Sequence, residues 1–279
     1  MVIFKNINVQ GKNIFYREAG NINKPYLLLL HGFPTTSHMF RNLIPLLENS
    51  YHIIAPDYIG FGQSDSPDNN LFTYTFENLT KYVHEFIQIL DIRQYYMYVF
   101  DYGAPIGFRL ALQNPESILG IISQNGNVYE EGLGEKWKIR KAYWQNPTLE
   151  KRKQFETAFS KETIISQYTN GEVAGSVSPD GYSLDIYYSN MPGYTERQSD
   201  LILDYQTNIK LYPQFQHYLK QYQPKLLAVW GKNDSSFIYP GALAFKKDNN
   251  NSKVVLLPAG HFALETHYKK IAELILDFF

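Results

Sequence analysis

Short apolar runs and amphipathic stretches take turns along this chain. Residues 2–8 and 13–19 mix apolar and polar positions and flank "QGKN", so they predict two strands joined by a glycine turn. "PYLLLLHG" and "YHIIAP" are continuous apolar runs of strand length, the pattern of strands buried on both faces. Between them, "TTSHMFRNLIPLLEN" repeats apolar residues at helical spacing behind Thr36 or Ser37 as cap. Asp57 to Asn70 is rich in Gly, Asp, Ser, Pro and Asn and predicts a loop. Thr75 then caps a helix with Leu79, Val83, Phe86 and Leu90 on one face. A strand over Tyr95–Phe100, a helix over Gly103–Gln113 and the strand "ILGIISQN" follow. Near Asn127 the pattern changes. Residues 130–222 carry amphipathic helical stretches and many aromatics but few clear strands. "KLLAVWGKND" restores a strand, "GALAFKKD" a short helix, "SKVVLLPAG" a last strand and "YKKIAELILDFF" a terminal helix.

Strands alternating with helices require right-handed βαβ units and a mostly parallel sheet flanked by helices. The expected organisation is an α/β core over 1–129 and 223–279 with a helical cap over 130–222.

Composition narrows the function classes. The net charge is −1 with no strongly basic segment, so nucleic acid and anionic membrane surfaces are not expected partners. No run approaches the roughly 18 apolar residues of a membrane span. The N-terminus lacks a signal-peptide core, which points to the cytoplasm. Cysteine is absent, which excludes disulfides, a thiolate nucleophile and Cys-ligated metal. With 23 tyrosines, the chain can line a pocket that is both apolar and hydrogen-bonding.

The candidate chemistry starts at "VFDYGAPIGFRLAL", residues 99–112. Asp101 ends an apolar strand where the chain turns into a helix. Ligands of open α/β sheets bind at such carboxyl ends, and the helix N-terminus favours a negative charge there. Gly103 supplies the small residue a tight strand–turn–helix corner needs. Read alone, Asp101 is as well explained as a helix cap.

Along nearly its whole length the chain resembles the α/β-hydrolase family. "LLLLHGFP" at 27–34 resembles the oxyanion motif, and "APDYIGFGQSD" the loop after the next strand. "GKND" and "PAGHFALE" carry the late acid and histidine. The resemblance implies a nucleophile elbow with Asp101 in place of serine, Asp234 as triad acid and His261 as base. Asn125 and Asn127 stand at the family's other acid position, and neither is an acid. One departure is Val99, where the elbow commonly has glycine. His31 is expected to support the oxyanion loop rather than react.

An aspartate with a pKa of about 4 is already ionised at neutral pH. It can attack an sp3 carbon directly and form an alkyl ester. His261 would then activate the water that hydrolyses the ester, and the N–H groups of Phe33 and Tyr102 would hold the oxyanion. Two branches are similar to this arrangement. Haloalkane dehalogenases typically place Trp after the nucleophile to hold halide, and here that position is Tyr102. Epoxide hydrolases use two cap tyrosines as acids, and Phe33 in the oxyanion motif is similar to theirs. "LILDYQTN" resembles the segment of one cap acid and points to Tyr205. The second acid is assigned to Tyr143, displaced about one helical turn from its expected position near Arg140. Trp144 and Tyr212 are expected in the pocket, although either could pack the cap core. No metal or organic cofactor is implied. The leading expectation is hydrolysis of an epoxide of a small hydrophobic substrate. The alternatives are a haloalkane dehalogenase and a non-catalytic binder of a small ligand. Oligomeric state is not legible.

Overall fold

A computed structural model describes all residues, Met1–Phe279. Eight strands form one sheet: β1 (Ile3–Val9), β2 (Lys12–Ala19), β3 (Tyr26–Leu30), β4 (His52–Pro56), β5 (Tyr95–Phe100), β6 (Ile118–Gln124), β7 (Leu226–Gly231) and β8 (Ser252–Leu257). Their spatial order is β1-β2-β4-β3-β5-β6-β7-β8. β1 and β2 pair antiparallel, as does β2 with β4, and every other pair is parallel.

Helices cover both faces. They are α1 (Ile44–Leu47), α2 (Phe76–Ile89), α3 (Gly103–Gln113), α4 (Trp137–Gln145), α5 (Leu149–Gln154), α6 (Lys161–Thr169), α7 (Ser183–Ser189), α8 (Tyr194–Asp204), α9 (Gln206–Tyr222), α10 (Pro240–Asp248) and α11 (Ala263–Phe278). Six of these, α4 to α9, lie between β6 and β7 and contribute no strand to the sheet.

The central strands are buried on both sides because their apolar runs point alternately to two cores. Leu28, Leu30, Met97 and Val99 join one core; Leu27, Leu29, Tyr98 and Phe100 join the other. Burying each leucine contributes about 2 kcal/mol.

Two elements differ from expectation. The helix expected after Thr36 is a 3₁₀ turn over Ser37–Phe40 followed by the four-residue α1. Thr36 does cap the first piece, accepting from the His38 N–H. Pro45 lacks the N–H that would close a bond to the preceding turn, so the helix does not run through. α11 starts earlier than its apolar pattern indicates, and departs from helical geometry at His267.

The parallel strands bring their carboxyl ends to one edge of the sheet. There Gly32 and Phe33 follow β3, Asp101 follows β5, Asn125 follows β6, Asp234 follows β7, and His261 follows β8. Residues spread over 230 positions of sequence meet because sheet order places their strands side by side.

Candidate active site

Asp101 is the left-handed corner between β5 and α3, with φ +47°. That conformation costs a non-glycine residue about 1–2 kcal/mol. Two backbone hydrogen bonds accompany it. Asp101 Oδ1 accepts from the Phe33 N–H at 2.8 Å and from the Tyr102 N–H at 2.7 Å. The approach is so close that a Cβ on Gly32 would lie 2.3 Å from the Asp101 Cβ, and one on Gly103 would lie 2.2 Å from the Leu30 carbonyl oxygen. Val99 fits where the elbow pattern commonly has glycine because Gly107 of α3 opposes it; a Cβ there would meet Val99 Cγ1 at 2.6 Å.

Asp101 Oδ2 faces His261, whose Nε2 is 3.7 Å away. His261 Nδ1 is 2.6 Å from Asp234 Oδ2. Asp234 is itself held on both oxygens. Its Oδ1 accepts from the Ser236 N–H at 2.7 Å and the Phe237 N–H at 3.2 Å, and its Oδ2 from Asn125 Nδ2 at 2.8 Å. Because Asp234 Oδ2 accepts at this distance, Nδ1 of His261 carries a proton and Nε2 is the free base. Burial pushes the His261 pKa down, but Asp234 and Asp101 outweigh it and hold it above the ordinary value. Burial raises the Asp101 pKa, against the opposing pull of His261 and the two N–H donors.

His31 has a supporting place. Its Nε2 accepts from the Tyr58 N–H and its Nδ1 lies 3.1 Å from the Gly32 carbonyl, which fixes the loop that carries Phe33. Burial drives its pKa down to about 3, so the ring stays neutral.

A cavity of about 420 Å³ opens above Asp101, between the sheet edge and the helical insertion. Asp101, Tyr102, Phe33, Asp234, His261 and Tyr205 all line it. The Tyr205 hydroxyl is buried beside the Tyr212 hydroxyl and has no carbonyl or carboxylate acceptor. Burial, with the charge of Asp101 among the lesser causes, raises its pKa well above the ordinary phenol value, so it remains protonated.

The other aromatic expectations do not hold for this cavity. Tyr143 is not on its wall: it packs against the Phe155 ring at 5.2 Å, and Phe155 is what faces the cavity. Trp144 is also off the wall, because its Nε1 donates to the Ile202 carbonyl at 2.8 Å and its ring lies against Tyr205. Tyr212 is buried behind the wall, its hydroxyl accepting from Asn127 Nδ2 at 3.3 Å. Nor is the cavity simply apolar: only eight of its 21 lining residues are hydrophobic.

Two groups escaped the sequence reading. Asn125 is not an acid, yet it ties Asp234 to the sheet, its Oδ1 also accepting from the Gly231 N–H at 2.9 Å. Its place directly after β6 was the available signal. Arg140 lines the cavity where a second tyrosine was sought.

No helix is long and apolar enough to cross a membrane. The chain is similar to known proteins at three levels. It is 47% identical over 288 residues to the uncharacterized hydrolase YNR064C of Saccharomyces cerevisiae, covering 99% of this chain and 97% of that one. A haloalkane dehalogenase of Bradyrhizobium diazoefficiens is 40% identical over 113 residues, 40% of this chain and 36% of the relative. Among solved structures, haloalkane dehalogenase DbeA from Bradyrhizobium elkani USDA94 superposes with a TM-score of 0.81 at 22% identity, over 99% of this chain and 97% of that one. That likeness, at such low identity, is one of fold. Residues 25–268 match the family described as alpha/beta hydrolase fold. An eight-stranded, mostly parallel sheet and a family match across most of the sequence agree, and the chain belongs to the α/β hydrolases.

Proposed function

We propose that this hydrolase opens epoxides through a covalent ester on Asp101. The observation that carries the reading is which donors remain free. All three indole N–H groups are engaged: Trp137 with the Ser236 carbonyl, Trp144 with the Ile202 carbonyl and Trp230 with the Phe237 carbonyl. The Tyr205 side chain lines the cavity, and its buried O–H, beside the Tyr212 hydroxyl, is committed to no carbonyl or carboxylate. A departing epoxide oxygen needs a proton, and an O–H can give one; an indole cradle for halide has no free member here.

In the first step, Asp101 Oδ2 attacks the epoxide carbon and the ring C–O bond breaks. The ring oxygen takes the Tyr205 proton. Oδ1, already under the Phe33 and Tyr102 N–H groups, becomes the ester carbonyl oxygen. In the second step, His261 Nε2 takes a proton from water, whose oxygen attacks the ester carbon. The oxyanion stays under the same two donors, each worth roughly 10²–10³ in rate. Collapse releases the diol, whose departing oxygen takes the imidazolium proton; the proton left on the Asp101 carboxyl returns to Tyr205. Asp234 holds the imidazole orientation throughout.

A second reading, halide displacement, is favoured by the haloalkane dehalogenase relatives. One experiment separates the two. In His261→Gln the ester forms and is not hydrolysed, so intact mass spectrometry is expected to show a gain equal to a whole aryl epoxide. A gain equal only to the alkyl group from a bromoalkane, with bromide released and no epoxide adduct, would replace epoxide opening with dehalogenation.

The acid limb of the pH profile follows from the same site. Ester hydrolysis needs neutral His261, so it falls as pH drops through the His261 pKa. Asp101 helps raise that pKa in the resting enzyme, and esterification removes its charge. The limb of kcat is therefore expected at lower pH than the His261 titration of the resting protein followed by NMR. A kcat limb at or above that titration would contradict an ester on Asp101.

A further inference from the structure

The cavity that Asp101 lines also carries a cation with no protein partner of opposite charge. Arg140 sits on α4 with its guanidinium stacked over the Trp137 ring, 4.7 Å from ring centroid to Cζ. Its polar contact within the protein is a 3.5 Å approach of Nη1 to the Lys136 carbonyl one turn earlier. Lys136, four residues before it and on the same helical face, also borders the cavity. The cavity's acids are spoken for: Asp234 is bound by His261, Asn125 and two N–H groups, and Asp101 accepts from two N–H groups and faces His261. Arg140 and Asp101 both line the cavity and form no ion pair or hydrogen bond with each other.

A guanidinium presents a planar fork of donors matched to a carboxylate. Stacking on Trp137 covers one face of that fork and leaves its edge for hydrogen bonds. Arg140 is partly exposed, and none of the ion pairs of the protein includes it. Gln154 and Gln167 add polar groups to the same wall.

We infer that Arg140 is the specificity determinant of this cavity and that the substrate carries a carboxylate, held by Arg140 while its reactive carbon faces Asp101. The inference rests on the epoxide reading for the reactive end only; the anionic end stands on the Arg140 wall itself.

Binding without turnover tests it. In Asp101→Asn protein, titration calorimetry with phenylacetate and its neutral amide is expected to favour the carboxylate by about tenfold or more. Adding Arg140→Gln should bring the two within about twofold, and Arg140→Lys should restore part of the preference. Equal binding of acid and amide, or a preference that survives Arg140→Gln, would overturn the inference.

Turnover supplies the second arm. Arg140→Gln in otherwise unaltered protein is expected to lower kcat/KM for 3-phenylglycidate by about tenfold and to change styrene oxide by less than about threefold. An equal fall for both epoxides would overturn the inference, because it would place the guanidinium on the leaving oxygen rather than on a carboxylate. If neither epoxide is turned over by the unaltered protein, the epoxide reading fails, and the calorimetry still decides the role of Arg140.

Discussion

Asp101→Asn is expected to abolish turnover, a fall of about 10⁴-fold or more, while ligand affinity and thermal unfolding stay near those of the unaltered protein. The amide keeps an oxygen under the Phe33 and Tyr102 N–H groups, so the corner between β5 and α3 retains its hydrogen bonds. What it loses is the nucleophilic Oδ2 facing His261. Rates measured with an aryl epoxide, beside a melting curve, check both halves. Turnover within about tenfold of the unaltered rate would remove the covalent ester from the mechanism, and with it the reason for an acid at a strained corner.

Asp234→Asn is expected to cost about 10³–10⁴ in steady-state turnover, chiefly in the second step. The carboxylate accepts from His261 Nδ1, and an amide can present its N–H₂ there instead. The imidazole would then carry its proton on Nε2, the nitrogen that must receive one from water. Two other donors, the Ser236 and Phe237 N–H groups on Oδ1, hold the group in place, while the amide also turns a donor toward Asn125 Nδ2, so the change acts on tautomer more than on position. Rapid quench should show ester accumulating to nearly one per active site. Steady-state rates equal to the unaltered ones would mean that Asp234 does not orient the base.

How much of this was legible in the sequence depends on what each residue needed to be recognised. The strands were legible because central strands are buried on both faces and must be apolar throughout, as in Leu27–Leu30. Asp101, Asp234 and His261 were legible because each breaks its pattern just past such a strand, and the carboxyl edge of a parallel sheet gathers those positions. The insertion was different. In a segment dense in tyrosine and tryptophan, residue type does not say which ring faces the cavity and which faces a neighbouring ring. Tyr143 and Arg140 lie one turn apart on α4; Phe155 covers the first, and the second borders the cavity. That is decided by how α4 and α5 pack, through contacts between segments rather than by local preference. Asn125 was missed for another reason: a search for an acid passes over the amide that holds one.

The two indole hydrogen bonds of α4 have a mechanical consequence. Trp137 fastens the helix to the Ser236 carbonyl beside Asp234, and Trp144 fastens it to the Ile202 carbonyl of α8. The helix that bears Arg140 is thus a fixed beam, not a hinged flap. Raising it would break both bonds and pull on the loop whose Ser236 N–H steadies Asp234. A ligand that needs this wall displaced must therefore offset the loss of both bonds, about 1 kcal/mol each, before it gains any contact of its own.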